Sequence, residues 1–187
     1  MKHYTITQYT HDFLKNWLTE GSLFIDATVG NGHDTEFLCK GVGDTGKVIG
    51  FDVQELAITN TKERLIKAGI ESRCQLILDG HQNLDHYVEI ESVDGIVFNF
   101  GYLPGGDHSL STQASTSIQA IEKGLAVLKS GGIMSMCIYS GQDTGFEEKN
   151  SILEYLKTVD QKKYVIIKSE FYHRPNNPPI PVFIIKQ

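Results

Sequence analysis

The 187-residue sequence has few features of a membrane, secreted or metal-binding protein. Its three cysteines, Cys39, Cys74 and Cys137, are too few and too far apart for a disulfide framework or a zinc site. No apolar stretch approaches the roughly 20 residues that span a bilayer, and the first residues lack the apolar core of a signal peptide. The sequence therefore predicts a cytoplasmic protein with reduced thiols, no membrane segment and no metal.

Positive charge is also scarce, since 17 Lys and Arg residues stand against 23 Asp and Glu, for a formal net charge of −6. This balance argues against a strongly basic, nonspecific nucleic-acid binder. It leaves room for an enzyme with a local basic patch, because binding depends on how charge is distributed. The length and the lack of repeats or linkers predict a single domain over residues 1–187.

Strand and helix patterns alternate along the chain. A first helical spacing at Phe13, Leu14, Trp17 and Leu18 follows Thr10, a candidate N-cap. Seven apolar runs predict strands at Leu23–Ala27, Lys47–Asp52, Cys74–Leu78, Val93–Phe98, Ile133–Tyr139, Tyr164–Ser169 and Val182–Lys186. Helical patterns at Asp34–Cys39, Gln54–Ala68, Ile118–Leu128 and Ile152–Leu156 separate most of these strands, and none lies between the third and fourth or between the sixth and seventh. This order predicts an α/β, Rossmann-like fold, a seven-stranded mostly parallel sheet with a terminal antiparallel strand, typical of class I methyltransferases.

The most informative segment follows the first strand and reads Asp-Ala-Thr-Val-Gly-Asn-Gly-His-Asp over residues 26–34. Two glycines between a strand and a helix are typical of a turn that cradles a nucleotide-like ligand. Dinucleotide-binding turns have a third glycine where this chain has Thr35, and the carboxylate of Asp26 would repel a pyrophosphate. A cofactor with an ammonium group, a sulfonium and no phosphate fits better, which predicts S-adenosylmethionine.

Polar residues at the ends of the next two strands complete a predicted cofactor site. Asp52 is placed to accept hydrogen bonds from both ribose hydroxyls, and Gln54 is either a further contact or only a helix start. Asp79 is placed to accept from the adenine amine, and His81 either lies beside it or is a surface or capping residue. The predicted cofactor-binding residues are Asp26, Gly30, Asn31, Gly32, Asp34, Asp52, Gln54, Asp79, His81 and Asn99.

The fourth strand ends in a second motif, Asn-Phe-Gly-Tyr-Leu-Pro-Gly-Gly-Asp over residues 99–107. It resembles the Asn/Asp-Pro-Pro-Tyr/Phe motif of amino-group methyltransferases, in which the Asn99 oxygen would accept hydrogens of the nitrogen nucleophile and Tyr102 would stack on a base. The alternative is a plain turn after a core strand. We predict Asn99 and Tyr102 as catalytic residues and, as substrate-binding residues, Gly101, Tyr102, Asp107, His173 and Asn177.

The two motifs, with Phe-Asp-Val-Gln at 51–54 and Asn-Asn-Pro-Pro at 176–179, resemble the bacterial family labelled rRNA methylases. Its characterised members look like methyltransferases that act on the tRNA wobble uridine. The resemblance implies S-adenosylmethionine-dependent conversion of 5-aminomethyl(-2-thio)uridine to the methylaminomethyl form, with the tRNA anticodon stem-loop as partner. Family members carry Tyr-His-Gly-His where residues 139–142 read Tyr-Ser-Gly-Gln, so a histidine acid–base role is not carried over.

The sequence leaves open which residues contact RNA and which substrate is methylated. One set of basic residues either flanks the pocket or forms a solvated face: Lys149, Lys162, Lys163, Lys168 and Arg174. Tyr172, His173 and Asn177 are placed to meet a flipped base. The alternatives are an rRNA or small-amine methyltransferase, an NAD-dependent oxidoreductase, and a catalytically silent RNA-binding protein. A homodimer fits an RNA enzyme of this size, although no motif specifies one.

Overall fold

The structure, a computed structural model, describes residues 4–101, 112–140 and 142–187. Five helices and seven strands follow one another in these ranges. In chain order they are α1 Ile6–Leu14, β1 Leu23–Asp26, α2 His33–Val42, β2 Lys47–Asp52, α3 Glu55–Ala68, β3 Cys74–Leu78, β4 Val93–Phe100, α4 Ala114–Val127, β5 Leu128–Ile138, α5 Gln142–Leu156, β6 Tyr164–Lys168 and β7 Ile180–Lys186. Short 3₁₀ turns at Glu71–Arg73 and His81–His86 flank β3.

The seven strands form one sheet in the order β3-β2-β1-β4-β5-β7-β6. The pairs from β3 to β5 are parallel, and β7 runs antiparallel to both of its neighbours. The chain moves outward from β1 to β3, then returns to place β4 on the other side of β1. In such sheets ligands bind beyond the carboxyl ends of the strands where the order reverses, which here is the gap between β1 and β4.

Apolar side chains pack against both faces of this sheet. On one face, buried residues of α4 and α5 pack against β4 and β5, among them Ile121 and Ile152. On the other face, Leu14 of α1 and Leu38 of α2 pack with Phe183 of β7. Parallel strands covered on both sides are apolar throughout rather than alternating, which explains why they are recognisable as continuous runs in the sequence.

Several predicted boundaries are wrong by a few residues. The first helix begins five residues earlier than predicted: Thr5 is its N-cap, with a capping box that includes Gln8, and Thr10 is buried inside the helix. Strand β1 ends at Asp26, and β4 continues to Phe100, so that Asn99 is still within the strand. Local turn chemistry set these ends, whereas apolar spacing alone had placed them.

The described ranges contain no helix with the length and apolarity needed to cross a membrane. Within the same ranges, no group of three His, Cys, Asp or Glu residues is arranged to hold a metal ion. The three cysteines are free thiols, of which Cys39 and Cys137 are buried.

Candidate active site

The loop between β1 and α2 is shaped by two glycines. Gly30 has φ of 54° and Gly32 has φ of 75°, in the left-handed region that disfavours other residues. A Cβ atom at Gly32 would come within 2.5 Å of the Thr61 hydroxyl on α3. Gly32 is also the N-cap of α2 and provides no side-chain cap. The loop therefore lies close against α3, with the positive end of the α2 dipole at the carboxyl edge of the sheet.

Asp26 holds this loop from beneath. Its side chain is fully buried, and its oxygens accept hydrogen bonds from the Thr35 hydroxyl at 2.6 Å and the Thr28 amide at 3.2 Å. Burial, and then the negative charge of Asp34, raise the pKa of Asp26 to about 7. The sequence predicted a direct contact with the cofactor, but the carboxylate has no exposed surface here. Its role in this structure is to join the end of β1 to the first turn of α2.

Asp52 connects the loops that follow β1 and β2. Its two oxygens accept the backbone N–H groups of Gly30 and Gln54, each at 2.9 Å. A carboxylate has about four acceptor positions, so the half-exposed side chain retains capacity for further donors such as ribose hydroxyls. The ribose contact of Asp52 stays a prediction, and Gln54 is the N-cap residue of α3.

Asp79 mainly organises the turn after β3. It accepts hydrogen bonds from the Gly80 amide, the Asn83 side chain and the Tyr87 hydroxyl, at 2.7, 2.8 and 3.0 Å. The bond from Asn83, with the other two, lowers the pKa of Asp79. One acceptor position is left on the oxygen that faces Tyr87, so a contact with an adenine amine would be additional to this structural role.

His81 carries an unsatisfied buried nitrogen. Within the described residues its Nε2 has no hydrogen-bond partner, and burial lowers the pKa of the ring to about 4. The neutral ring meets the edges of Phe98 and Phe100 at the carboxyl end of β4, with centroids 6.1 Å apart in both cases. A buried polar atom normally has a partner, so this nitrogen fits a site that is completed by a polar ligand.

Arg64 fixes the tip of the glycine loop from α3. Its Nε donates to the backbone carbonyl of Asn31 at 2.8 Å, and its Nη1 forms an ion pair with Glu36 at 3.0 Å. Asn31 itself lies between the two glycines, as predicted for a turn residue. The loop is therefore held on three sides, by Asp26, Asp52 and Arg64.

Asn99 is oriented by an acid and a histidine from two helices. Its backbone N–H donates to the Thr28 hydroxyl, and its side-chain Nδ2 donates to Asp34 Oδ2, both at 2.7 Å. The other oxygen of Asp34 lies 2.6 Å from His11 Nε2. Burial raises the pKa of Asp34, but the hydrogen bonds and charge of its partners outweigh this effect and lower it overall. Because an ionised carboxylate only accepts, Asn99 Nδ2 faces Asp34 and Oδ1 faces the opposite side.

The two ends of the segment after β4 are tied together. The Gly101 carbonyl accepts the Thr112 N–H at 3.0 Å. The Thr112 and Ser117 hydroxyls lie 2.8 and 2.6 Å from the buried carboxyl group of Glu148 on α5. Burial raises the pKa of Glu148. This acid thus holds the base of the predicted substrate loop.

The remaining predicted substrate residues are placed in part. Tyr102 and Asp107 lie outside the described residues. His173 and Asn177 are exposed on residues 169–179, between β6 and β7, and the Ser140 hydroxyl approaches the Asn177 carbonyl at 3.3 Å. Strands β5 and β6 end, and β7 begins, at the same edge of the sheet as the glycine loop. The structure brings this segment to the edge that carries Asn99.

A pocket of about 150 Å³ opens at this edge beside α5. Lys149 and Lys168 line it together with Phe171 and Asn177. Arg174 lies over the Phe171 ring, and Tyr172 is 90% exposed. We refer to Lys149, Lys168, Phe171, Tyr172 and Arg174 as the basic edge. Cations next to exposed rings are typical of surfaces that bind single-stranded nucleic acid.

Comparison with known proteins identifies the family to which the chain belongs. A family model described as "Putative rRNA methylase" matches residues 48–185. The chain belongs to this family. It is similar to the chloroplastic tRNA (mnm(5)s(2)U34)-methyltransferase of Arabidopsis thaliana, with 31% identity over 190 residues that cover 97% of this chain and 69% of the relative.

Two solved structures extend the comparison. A protein of Clostridium thermocellum described as a "putative rRNA-methylase" has a TM-score of 0.95 and 46% identity over 100% of both chains. A protein of Streptococcus mutans described as "a putative methyltransferase" and crystallised with SAH has a TM-score of 0.88 and 38% identity over 100% of this chain and 99% of its own. The predicted family, fold and S-adenosylmethionine cofactor are confirmed, and the chain is an S-adenosylmethionine-dependent methyltransferase of the RNA methylase family.

The residues present fit this cofactor. The unsatisfied His81 nitrogen, the glycine loop and the remaining acceptor capacity of Asp52 lie at the carboxyl ends of β1 to β4. These groups would hold the nucleoside part, and Asn31 and Asp34 lie on the loop and helix start next to Asn99. When bound, S-adenosylmethionine would supply an electrophilic methyl group. Its sulfonium sulfur is the leaving group and becomes a neutral thioether.

Sequence reasoning missed four residues that build the site: His11, Thr28, Arg64 and Glu148. Each acts through a contact with a distant part of the chain, from 23 residues away for His11 and Asp34 to 71 for Thr28 and Asn99. Glu148 stands between Glu147 and Lys149 in a pattern typical of a solvated helix face, so its burial has no local signal.

Proposed function

We propose that the protein methylates the exocyclic amine of 5-aminomethyl(-2-thio)uridine at the tRNA wobble position and forms the methylaminomethyl nucleoside. The observation that carries this proposal is the fixed amide of Asn99. Its Nδ2 is committed to Asp34, so Oδ1 is left as an acceptor at the mouth of the sheet. An acceptor there suits a nitrogen nucleophile, whose hydrogens must be held while its lone pair is aimed.

The chain's contribution to such a transfer is mainly positional. Two reactants held in line gain several orders of magnitude in rate without covalent help from the protein. Asn99 orients the amine, and Thr28 fixes the backbone of Asn99 against the glycine loop. The amine must also lose its ammonium proton before it reacts, and we assign no residue to that step.

The choice of tRNA is supported by similarity and by the surface. The Arabidopsis relative, named for action on mnm(5)s(2)U34, aligns with 97% of this chain. The basic edge offers cations for phosphates and an exposed tyrosine on which an unstacked base can lie. An anticodon loop presents unpaired bases, so it suits this surface better than a base-paired helix does.

A second candidate, methylation of rRNA, is favoured by the description of the family itself. The two functions predict different products. Purified protein is incubated with S-adenosylmethionine and with either tRNA or rRNA from cells that lack the gene, and nucleosides are analysed by mass spectrometry. We expect the aminomethyl nucleoside of tRNA to gain one methyl group and rRNA to remain unchanged.

The variant Asn99→Ala serves as the matched control, and we expect it to bind S-adenosylmethionine while losing about 100-fold in rate. Methylation of rRNA alone would refute the choice of tRNA. A fully active Asn99→Ala variant would refute the assigned role of the amide.

A further inference from the structure

We propose that His11, on the N-terminal helix, is a positioning residue for methyl transfer, which acts by holding Asp34 so that Asp34 holds the amide of Asn99 in its productive orientation. This inference rests on the proposed function, because it assumes that Asn99 Oδ1 meets the acceptor amine. His11 lies outside both sequence motifs and outside the residues 48–185 that the family model matches.

The three side chains form a continuous hydrogen-bonded series across three elements. His11 Nε2 lies 2.6 Å from Asp34 Oδ1, and Asn99 Nδ2 lies 2.7 Å from Asp34 Oδ2. Each carboxylate oxygen thus has its own donor, one from α1 and one from β4. Because the carboxylate accepts, the imidazole carries its proton on Nε2.

The ring of His11 is itself held in place. It stacks on Phe37 of α2, with centroids 3.7 Å apart and planes within 3°. About a fifth of its side chain is exposed. A stacked ring has little rotational freedom left to lose, so the donor atom is presented to Asp34 before any ligand arrives.

The consequence for Asn99 follows from its side-chain amide, which has a donor at Nδ2 and an acceptor at Oδ1. An ionised Asp34 can only accept, and this forces Nδ2 toward it and Oδ1 away from it. A protonated Asp34 would carry an O–H and could donate to Oδ1, which would allow the amide to turn over. The bond from His11 favours the ionised carboxylate, since burial alone would raise the pKa of Asp34. His11 thereby keeps the acceptor oxygen directed toward the substrate.

Two substitutions of His11 separate donation from stacking. His11→Phe keeps a ring over Phe37 but has no donor, whereas His11→Gln keeps a donor at the position of Nε2 and loses the ring. We expect kcat of His11→Phe to fall on the order of 10-fold, with KM for tRNA and Kd for S-adenosylmethionine within about twofold of the unmodified protein. His11→Gln should recover most of the lost kcat.

The same substitution at an exposed histidine is the matched control. His86 has a side chain that is 66% exposed, and His86→Phe should leave kcat unchanged. Unchanged kcat in His11→Phe would overturn the inference. So would a His11→Gln variant that is impaired as strongly as His11→Phe, because stacking or helix stability would then explain the loss.

A measurement without turnover distinguishes this inference from the proposed function. The side-chain amide protons of Asn99 can be followed by NMR in the protein without cofactor. We expect them to exchange slowly with water in the unmodified protein and in His11→Gln, and faster in His11→Phe. Equal exchange in all three refutes the positioning role, whereas absence of any product on tRNA, with this difference present, refutes only the proposed substrate.

Discussion

The carboxyl edge of the sheet differs between the side of β1 to β3 and the side of β5 to β7. On the side of β1 to β3, the acids accept hydrogen bonds from the chain's own groups: Asp26 from Thr35 and Thr28, Asp52 from Gly30 and Gln54. On the side of β5 to β7, Lys149, Lys168 and Glu170 line the pocket of the basic edge, and Arg174 donates to the Tyr4 carbonyl. Within the described ranges, neither Lys149 nor Lys168 has a carboxylate within ion-pair distance, although Lys149 lies 4.8 Å from the centre of the Phe146 ring.

This difference matches the ligands proposed for each side. A small cofactor with fixed geometry is bound best by a loop that cannot move, because a preorganised site loses little entropy on binding. A nucleic acid is attracted by exposed cations and read by rings that can adapt. The acids Asp26 and Asp52 thus fix loops within the chain, whereas Lys149 and Lys168 form no ion pair within the described ranges, even though acids outnumber bases overall.

We call the side of β1 to β3 the rigid side and the side of β5 to β7 the outward side. The largest expected effect tests the rigid side. Asp52→Ala removes the acceptor of two backbone N–H groups that span the loops after β1 and β2. Hydrogen bonds to charged groups are among the stronger ones in proteins, so we expect S-adenosylmethionine affinity to fall about 100-fold, with tRNA affinity within about twofold. Calorimetry measures the first and filter binding the second.

The control for Asp52→Ala is Asp12→Ala, which removes an acid that is paired with Lys15 on the exposed face of α1. Its cofactor affinity should match that of the unmodified protein. Equal cofactor affinity in Asp52→Ala would show that the loop holds its shape without this carboxylate.

The sequence predicted the rigid side better than the outward side. Strands β2 and β3 begin and end at the predicted residues, because an apolar run between turn residues is a local signal. The nearness of Asp52 to the glycine loop could also be predicted, since its spacing from that loop follows from one strand–helix–strand unit. The relation of Asn99 to His11 could not be found, because it depends on how α1 packs across the sheet.

Strand order shows the same limit, whereas the start of α1 has a local signal. The antiparallel strand was predicted, but the insertion of β7 between β5 and β6 follows only from tertiary packing. The capping box of Thr5 and Gln8 was legible in the sequence. The apolar residues from Phe13 onward have helical spacing and predicted a later helix start. Of these, Trp17 and Leu18 lie beyond the end of the helix.

The rigid side should also set how stability depends on pH. The pKa of Asp26 is raised from 3.8 to about 7 in the folded protein. The contribution of Asp26 to stability is therefore fully present below about pH 4, where Asp26 is protonated in both states, and is lost as the pH rises to about 7. Between about pH 5 and pH 8 this contribution falls by about 2 kcal/mol, whereas the lowered pKa of His81 makes stability rise by a similar amount. The Asp26 contribution is therefore measured as a difference from a variant that lacks it.

Chemical denaturation at several pH values checks this expectation. Asp26→Asn has no titrating group at this site, so between pH 5 and pH 8 its free energy of unfolding should increase by about 2 kcal/mol relative to that of the unmodified protein. The slope of the variant would come from His81, whose lowered pKa makes stability rise with pH, and from Glu148, whose raised pKa makes it fall. Asp34 has a lowered pKa and titrates below this window. Identical slopes in both proteins would mean that Asp26 is already ionised throughout.

The outward side is tested by removing charge. The double variant Lys149→Ala and Lys168→Ala should weaken tRNA binding about 10-fold and reduce the slope of log K against log salt by about 1 to 2. Cofactor affinity should not change. Lys40, in the last turn of α2, and Lys157, directly after α5, provide the comparison pair. Both are exposed, lie toward the opposite edge of the sheet and pair with a glutamate of their own helix. An equal loss in that pair would indicate nonspecific attraction rather than a binding edge.

The smallest expected effect concerns one ring. Tyr172 is the most exposed large side chain of the basic edge, with 90% of its surface accessible. Stacking on a base is sequence-tolerant and contributes modestly, so we expect Tyr172→Ala to raise KM for tRNA about fivefold and to leave kcat and cofactor affinity unchanged. Tyr172→Phe keeps the ring and should bind tRNA normally. If both variants lose affinity equally, the hydroxyl makes the contact, and this side of the site reads its substrate by hydrogen bonding rather than by stacking.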